Sequence, residues 1–406
     1  MTTHLAAVSP AKGQRFELRS RPTPKPGPGE LLIAVKSVAI NPADGLMRDQ
    51  GLFIPDYPTV IGFDIAGLVL EVGDNVPTAI GGTDGDPGLS FRPGVTRVAA
   101  YAASFWKSCD PDYGAFQERC LVPWQHAVPL PDEETMSWNR AATLPVAVEV
   151  LLSAWDALGI LRVGMGDDAS APASALNPVS ASASTGTGIS DDFTEKNQKR
   201  EALLIWGASS SVGTMGVQGA RLVREDRQSS FAAVYATAGP ANEEYVRSLG
   251  ADRVFDYKDP RVVGALVSAA REDGLVIRRC FLATGELAPC QAVLEAFLGD
   301  DDNDDDGSGE KNKIVKIASA PIVPADADAV DGVETVFLHP SMDEGTRLEQ
   351  FRYWMGTWLR NNLENRVIRP SPEPMVVGKG LGYINTGLDM VLQGVSCTKL
   401  VIEVEE

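Results

Sequence analysis

In LLIWGASSSVGTMGVQGARL, Leu203 to Leu222, an apolar strand runs into a set of small residues and then into a helix. This unit constrains the fold more than any other part of the chain. ALLIW, FAAVYATA, DRVFDY, IRRCFLA and NKIVKIAS read as strands, with helical patterns such as NEEYVRSLG and PCQAVLEAF between them. Such alternation predicts an α/β domain whose parallel sheet is covered by helices on both faces. The turn, Gly207, Ala208, Ser209, Ser210, Ser211, Val212 and Gly213, has little side-chain bulk. Low bulk lets backbone N–H groups approach a pyrophosphate at the amino end of a helix. The usual spacing of three glycines is not met; serines replace glycine and add hydroxyl donors. Taken alone, an ordinary strand-to-helix turn fits as well. The alternation that follows favours a dinucleotide cradle.

The next strand refines which dinucleotide. NAD-binding folds usually end it with an Asp or Glu that bonds the adenosine ribose. Here VYATAGPANEE closes on Thr237, Ala238 and Gly239, with no acid. A carboxylate there would repel a 2′-phosphate, so its absence favours NADPH. Tyr257, in VFDYKDP, is suited to stack on adenine or donate to that phosphate; a surface aromatic at a strand end is the plainer alternative.

Upstream, from Glu17 to Asp132, short β segments are cut by Gly and Pro. ELLIAVKSVAI, IAGLVLEVG and ERCLVPW are the clearest strands, and RPTPKPGPGE is a turn-rich connector. AATLPVAVEVLLSAWDALGI changes to helical spacing, with Val146, Val150, Ala154 and Leu158 on one stripe. The Ala/Ser-rich stretch after it has few large apolar side chains, too few to offset its ordering entropy, and is expected to be a disordered insertion. The run GDDDNDDDGSGEK follows calcium-loop spacing from Asp302 to Gly307, but its twelfth position, which should be Glu, is Lys313. A solvated loop between helix and strand is the better reading.

A chain of 406 residues is long enough for two domains with separate cores. Its net charge of -19 argues against nucleic acid and anionic membrane partners. Cys109, Cys120, Cys280, Cys290 and Cys397 are scattered and never form C-x-x-C, the usage of a reducing compartment. No apolar run approaches a membrane span, so a cytoplasmic location is expected.

Several stretches together resemble one family. VAINPADGL, PTVIGFDIAGLVLEVG, FRPGVTRVAAY, YGAFQERCLVP and AATLPVAVEVLLSAW occur in the order seen in medium-chain dehydrogenase/reductases. The Ser-rich turn, SLGADRVFDY and GLDMVLQGVSCTKLVIEV complete the likeness. Within that family the chain resembles the zinc-free, quinone oxidoreductase-like branch, and there the fungal enoyl reductases that act in trans on polyketide synthases. The resemblance implies a GroES-like β domain over 1–150, rejoined by 340–406. It also implies a Rossmann doubly wound parallel-sheet domain over 151–339, which would hold the disordered insertion, 164–200, with the active site in the interdomain cleft.

Zinc-dependent relatives carry a Cys where this chain has Asn41, and Gly-His-Glu where it has Gly62, Phe63 and Asp64. Their third catalytic ligand, a Cys after the domain junction, has no counterpart in LPVAVEVLLSAW, and of the four cysteines of their structural lobe only Cys109 and Cys120 could be matched. Zinc needs three or four Cys, His or carboxylate ligands in reach. His4, His126 and His339 do not supply them, and no metal is expected. Zinc lowers the pKa of a bound oxygen by about eight units, on the order of 10 kcal/mol at about 1.4 kcal/mol per unit. Without that help alcohol oxidation is hard. Conjugate reduction of an enoyl thioester or enone puts charge only on an enolate, which a few hydrogen-bond donors can stabilise.

By resemblance, NADPH would lie with its pyrophosphate over Ser209, Ser210, Ser211 and Val212, and its adenosine phosphate among Gly239, Pro240, Asn242 and Tyr257. Phe281 and Leu282 would lie along the nicotinamide, Val395 and Ser396 would close from the C-terminal part, and Ala43 and Asp44 would approach from the β domain. Thr143, whose alternative role is a helix N-cap, would begin a substrate wall of Leu144, Pro145, Val146, Ala147, Val148, Glu149, Val150 and Leu151, for which plain core packing is compatible. Three departures stand out: Leu46 where the related reductases have Lys, Gly94-Val95-Thr96-Arg97-Val98 for Gly-Asp-Arg-Val, and Ala241 where a polar or basic residue is common. No catalytic acid is identified, since water can protonate the enolate.

The expected activity is therefore NADPH-dependent reduction of an activated C=C bond on a small-molecule or carrier-bound acyl substrate. A polyketide synthase is the natural partner, and the protein itself would be a monomer or homodimer. The alternatives are a stand-alone quinone or enone reductase and a cofactor-binding protein without redox turnover, the latter favoured by the loss of Lys at Leu46.

Overall fold

The computed structural model describes residues 2–78, 89–160, 200–299 and 315–404. The Ala/Ser-rich insertion (Arg200 apart) and the acidic run after Gly299 lie outside the described residues. The chain divides into two compact units, Met1–Glu149 with Arg347–Glu406, and Val150–Thr346.

The second unit is built on a six-stranded parallel sheet. In sheet order its strands are Arg253–Phe255, Phe231–Thr237, Glu201–Trp206, Val276–Leu282, Val315–Ser319 and Val333–Phe337. Its central strands Glu201–Trp206 and Phe231–Thr237, covered on both faces, read as near-continuous apolar runs rather than alternating ones. Successive residues still point to opposite faces. Leu204, Tyr235, Cys280 and Leu282 join Leu266, Val293 and Phe297 in one core. Phe281 and Ile205 meet Gly216 of the helix Ser211–Glu225, where an added Cβ would lie 2.8 Å from the Phe281 ring and 3.3 Å from Ile205. Each large side chain buried this way contributes about 1.5–3 kcal/mol.

The first unit is organised around the strand Glu30–Ala39. It pairs antiparallel with Asp64–Val72, Arg119–Pro123 and Lys399–Glu403. Pairing with the last of these brings the end of the chain into this sheet, and Pro374–Lys379 adds to its edge in parallel. A helical tract over Glu344–Glu364 has a π-helical middle, Arg352–Leu359. Its Phe351 stacks on His126 at 3.8 Å between ring centres and packs on Tyr101 and Trp354. Contrary to the expectation that no apolar run approaches a membrane span, Trp138–Leu158 has the length and apolarity of one, and 78% of its most apolar window is buried within the fold, as in a core helix.

Candidate functional site

In the parallel sheet the strand order reverses between Glu201–Trp206 and Val276–Leu282. Doubly wound sheets bind ligands outside the carboxyl ends of their strands at such a switch point. The Gly207–Gly213 turn leaves the sheet there. Gly207 has φ +77, and a Cβ on it would sit 2.5 Å from the Thr284 side chain and 2.6 Å from the Thr284 carbonyl oxygen. A Cβ on Gly213 would be 2.3 Å from the Gly207 carbonyl oxygen. Neither position admits a side chain without moving backbone.

Ser210 caps the helix Ser211–Glu225: its Oγ accepts from the Gly213 N–H at 3.1 Å and donates to the Gly207 carbonyl at 2.8 Å. The first N–H groups of a helix lack intrahelical partners and carry the positive end of its dipole. Beside them the Ser211 hydroxyl is buried with no partner among the described residues. Free helix amides, an unpaired hydroxyl and a wall that admits no Cβ fit a pyrophosphate.

The adenosine end lies on the neighbouring strands. Thr237, at the strand tip, turns its Oγ1 into the cradle and accepts from the Gly207 N–H at 3.0 Å. The Ala238 N–H donates to the Phe255 carbonyl at 3.0 Å, holding the two strand ends together. Tyr257 is 45% exposed, and a Cβ on Gly239 would lie 3.9 Å from its ring. Pro240 and Asn242 form the short helical turn that follows. Lys258, not among the expected residues, places its Nζ 5.7 Å from the Tyr257 ring centre. Its neighbouring cations are taken: Arg247 by Glu243, Arg253 by Asp273 and Arg261 by Asp259. The Asp256 carboxylate accepts from the Lys258 main-chain N–H at 3.0 Å. Among the described residues no carboxylate pairs with the Lys258 ammonium.

Phe281 and Leu282 stand at the carboxyl end of their strand with both side chains buried, Phe281 edge-on to Trp155 and Leu282 in the opposite core.

In the first unit one buried polar network joins four separate stretches, at Asn41–Asp44, Asp64, Val146 and Lys399. Asp64, 0% exposed, accepts from the Val146 N–H at 2.8 Å, from Asn41 Nδ2 at 2.9 Å, and pairs with Lys399 Nζ at 3.0 Å. Lys399 Nζ also donates to Asn41 Oδ1 at 2.5 Å. The Asn41 N–H donates to Asp44 at 2.7 Å, at the start of the helix Pro42–Gln50. The other Asp44 oxygen is buried without a partner among the described residues. Burial, opposed by the Asn41 N–H and aided by the charge of Asp64, lifts the Asp44 carboxyl to about 7. Burial, with Glu149, Asp64 and Asp44 close by, keeps the Tyr101 hydroxyl protonated.

Ala43 is half-buried beside Asp44; Val395 and Ser396 are exposed in the turn between the helix Ile384–Gln393 and the last strand. Leu392 of that helix reaches the Pro42–Gln50 helix, 2.8 Å from where a Cβ on Gly45 would stand. The Thr143 hydroxyl is buried and donates to the Arg140 carbonyl at 2.8 Å. From Thr143 to Leu151 every residue is buried except Val146 and Val150, which are half-buried one helical turn apart. The described residues contain no group of three His, Cys, Asp or Glu placed to hold a metal ion.

Comparison with known proteins agrees with this architecture. Residues 27–132 match the alcohol dehydrogenase GroES-like domain. The chain is 35% identical to the trans-enoyl reductase tndF of Aspergillus flavipes, over 98% of both chains. It is 36% identical to the trans-enoyl reductase tazE of Aspergillus terreus, over 86% of this chain and 97% of that protein. The crystal structure of an alcohol dehydrogenase superfamily protein of Novosphingobium aromaticivorans superposes with a TM-score of 0.66 at 20% identity, covering 99% of this chain and 100% of that one. The chain belongs to the medium-chain dehydrogenase/reductases, oxidoreductases with a GroES-like domain and a Rossmann domain, alongside the fungal trans-enoyl reductases. That fold takes a nicotinamide cofactor, and the cradle at Gly207–Gly213 fits one.

Two features of the site were not read from the sequence. Lys258 adjoins Tyr257 in the chain, and that adjacency was the available signal. Lys399 had none locally, because its partners are 358 and 335 positions away.

Proposed function

We propose that the chain reduces the activated C=C bond of an enoyl thioester with NADPH and without a metal. It would act in trans, in the cytoplasm, on intermediates carried by a polyketide synthase of a secondary-metabolite pathway. The observation that carries this reading is the 35% and 36% identity to two trans-enoyl reductases over nearly the whole chain. Bound NADPH would supply the hydride. The chain's own residues would bind and orient: Ser209, Ser210, Ser211 and Val212 the pyrophosphate, and Gly239, Pro240, Asn242, Tyr257 and Lys258 the adenosine phosphate. Phe281 and Leu282 would back the nicotinamide, with Ala43, Asp44, Val395 and Ser396 contributed by the first unit.

NADPH over NADH is supported by a strand tip that ends in Thr237 rather than an acid, and by an ammonium at Lys258 without a carboxylate partner among the described residues. Val146 and Val150 are the side chains of the Thr143–Leu151 stretch open enough to touch an acyl chain. Independence from metal is supported by the donor set. Phe63 offers no ligand atom, and the Lys399 ammonium 3.0 Å from Asp64 would repel a divalent cation. Hydride delivered to the β-carbon leaves an enolate, whose charge needs only hydrogen-bond donors and whose carbon water can protonate.

The test is NADPH oxidation against a panel of an enoyl pantetheine thioester, simple quinones and free enones. Turnover of the thioester with quinones inert is the expected result. The reverse pattern would assign a stand-alone quinone or enone reductase. Tight NADPH binding with no oxidation anywhere would assign a cofactor-binding protein without turnover, the role that Leu46 in place of Lys favours.

A further inference from the structure

Ala43–Asp44, Thr143–Glu149 and Val395–Ser396 come from three remote parts of the chain. One side chain links the frameworks that carry them. Lys399 sits three residues after Ser396, on the strand Lys399–Glu403, and is 4% exposed. Its ammonium reaches Asn41 at the amino end of the Pro42–Gln50 helix, and Asp64, which in turn holds the Val146 N–H at the amino end of the Pro145–Leu158 helix.

We propose that Lys399 is a positioning residue of the site, whose buried ammonium sets the amino ends of these two helices in one register. This rests on the function proposed above and adds a residue to it. A buried ion pair adds little net stability over an apolar pair of similar volume, because desolvation consumes the attraction. What it does add is direction. An ammonium accepts no bond, and although its N–H groups rotate, a buried one has no water to replace a lost partner, so Asn41 and Asp64 cannot slide out of reach without losing a charge-assisted bond. Asp64 uses both oxygens, one on Lys399 and one on the helix amide, so displacement of the ammonium passes directly to Val146.

The test uses the full-length protein and three variants. Lys399→Met alone leaves Asp64 buried and uncompensated and is expected to melt well below wild type. Lys399→Met with Asp64→Asn removes both charges and is expected to melt close to wild type. That double variant should still lose at least tenfold in kcat/KM for an enoyl pantetheine thioester and several-fold in NADPH affinity by fluorescence titration. Lys399→Arg, which keeps charge and donors, should recover part of both. A double variant with wild-type melting, wild-type kcat/KM and wild-type NADPH affinity would overturn the proposal. If wild-type protein fails to reduce the thioester, the functional reading fails, and the NADPH affinities of the folded variants still decide the role of Lys399.

Discussion

Replacing Asp44 by Asn should change how stability depends on pH, by an amount set by its burial. Asp44 is fully buried with one oxygen unpartnered among the described residues, and its carboxyl is lifted to about 7. In an unfolded chain an Asp titrates near about 3.9. Because the folded value is the higher one, the folded state binds the extra proton. The resulting stability is complete below about pH 4 and lost as pH rises through about 7. Between about pH 5 and about pH 8 this linkage amounts to about 2.5 kcal/mol, more stable at the acid end. Asp44→Asn removes that titration. Any cost of placing an amide there is independent of pH and cancels in the comparison.

The assay is equilibrium urea unfolding of wild type and variant at several pH values, read by the protected amides of the strand Glu30–Ala39. That readout confines the signal to the unit holding Asp44. The difference between the two proteins should shift by about 2.5 kcal/mol across the range, with wild type gaining relative to Asp44→Asn as pH falls. Parallel profiles would show that Asp44 ionises normally and that the buried network is not as described.

Further outcomes follow from other residues. Burial holds His126 neutral and down to about 3 in the folded unit, so its contribution is present above about pH 6.5 and lost as pH falls. His126→Phe should therefore be relatively stabilised at about pH 5 by about 2 kcal/mol, opposite in sign to the Asp44 variant, in the same unfolding assay. Gly213→Ala, whose Cβ would meet the Gly207 carbonyl oxygen at 2.3 Å, should weaken nucleotide binding at least tenfold while the far-ultraviolet circular dichroism stays native. Lys258→Ala should weaken binding of 2′,5′-ADP by calorimetry several-fold and leave 5′-ADP unchanged; equal losses for both would remove Lys258 from the adenosine phosphate.

The parallel sheet was legible because its central strands, Glu201–Trp206 and Phe231–Thr237, are buried on both faces and so read as near-continuous apolar runs. The cradle was legible because close approach of backbone demands small residues in a short span. Elements that depend on distant partners left weaker marks. The Pro42–Gln50 helix is short, carries Pro and Gly, and is held by Asn41, Asp44 and Leu392 rather than by an apolar stripe. In the Glu344–Glu364 tract the buried Phe351, Trp354, Met355 and Trp358 fall at the helical spacing i, i+3, i+4, i+7, so a helix was marked there and only its π-helical middle left no sign in the sequence. The edge strand Val333–Phe337 is only partly buried and lacks the apolar run of its neighbours. Asn41 and Asp64 were visible as polar residues where metal ligands stand in relatives. Their completion by Lys399 required the sheet that brings the end of the chain beside Glu30–Ala39.

The central claim is a hydride delivered to the β-carbon of a polarised alkene. Single turnover of an enoyl pantetheine thioester with NADPH carrying deuterium at both C4 positions of the nicotinamide, followed by mass spectrometry and NMR of the product, tests it directly. One deuterium at the β-carbon, and a solvent-derived proton at the α-carbon, is the predicted result. Deuterium at the carbonyl carbon, or a product without label, would contradict it.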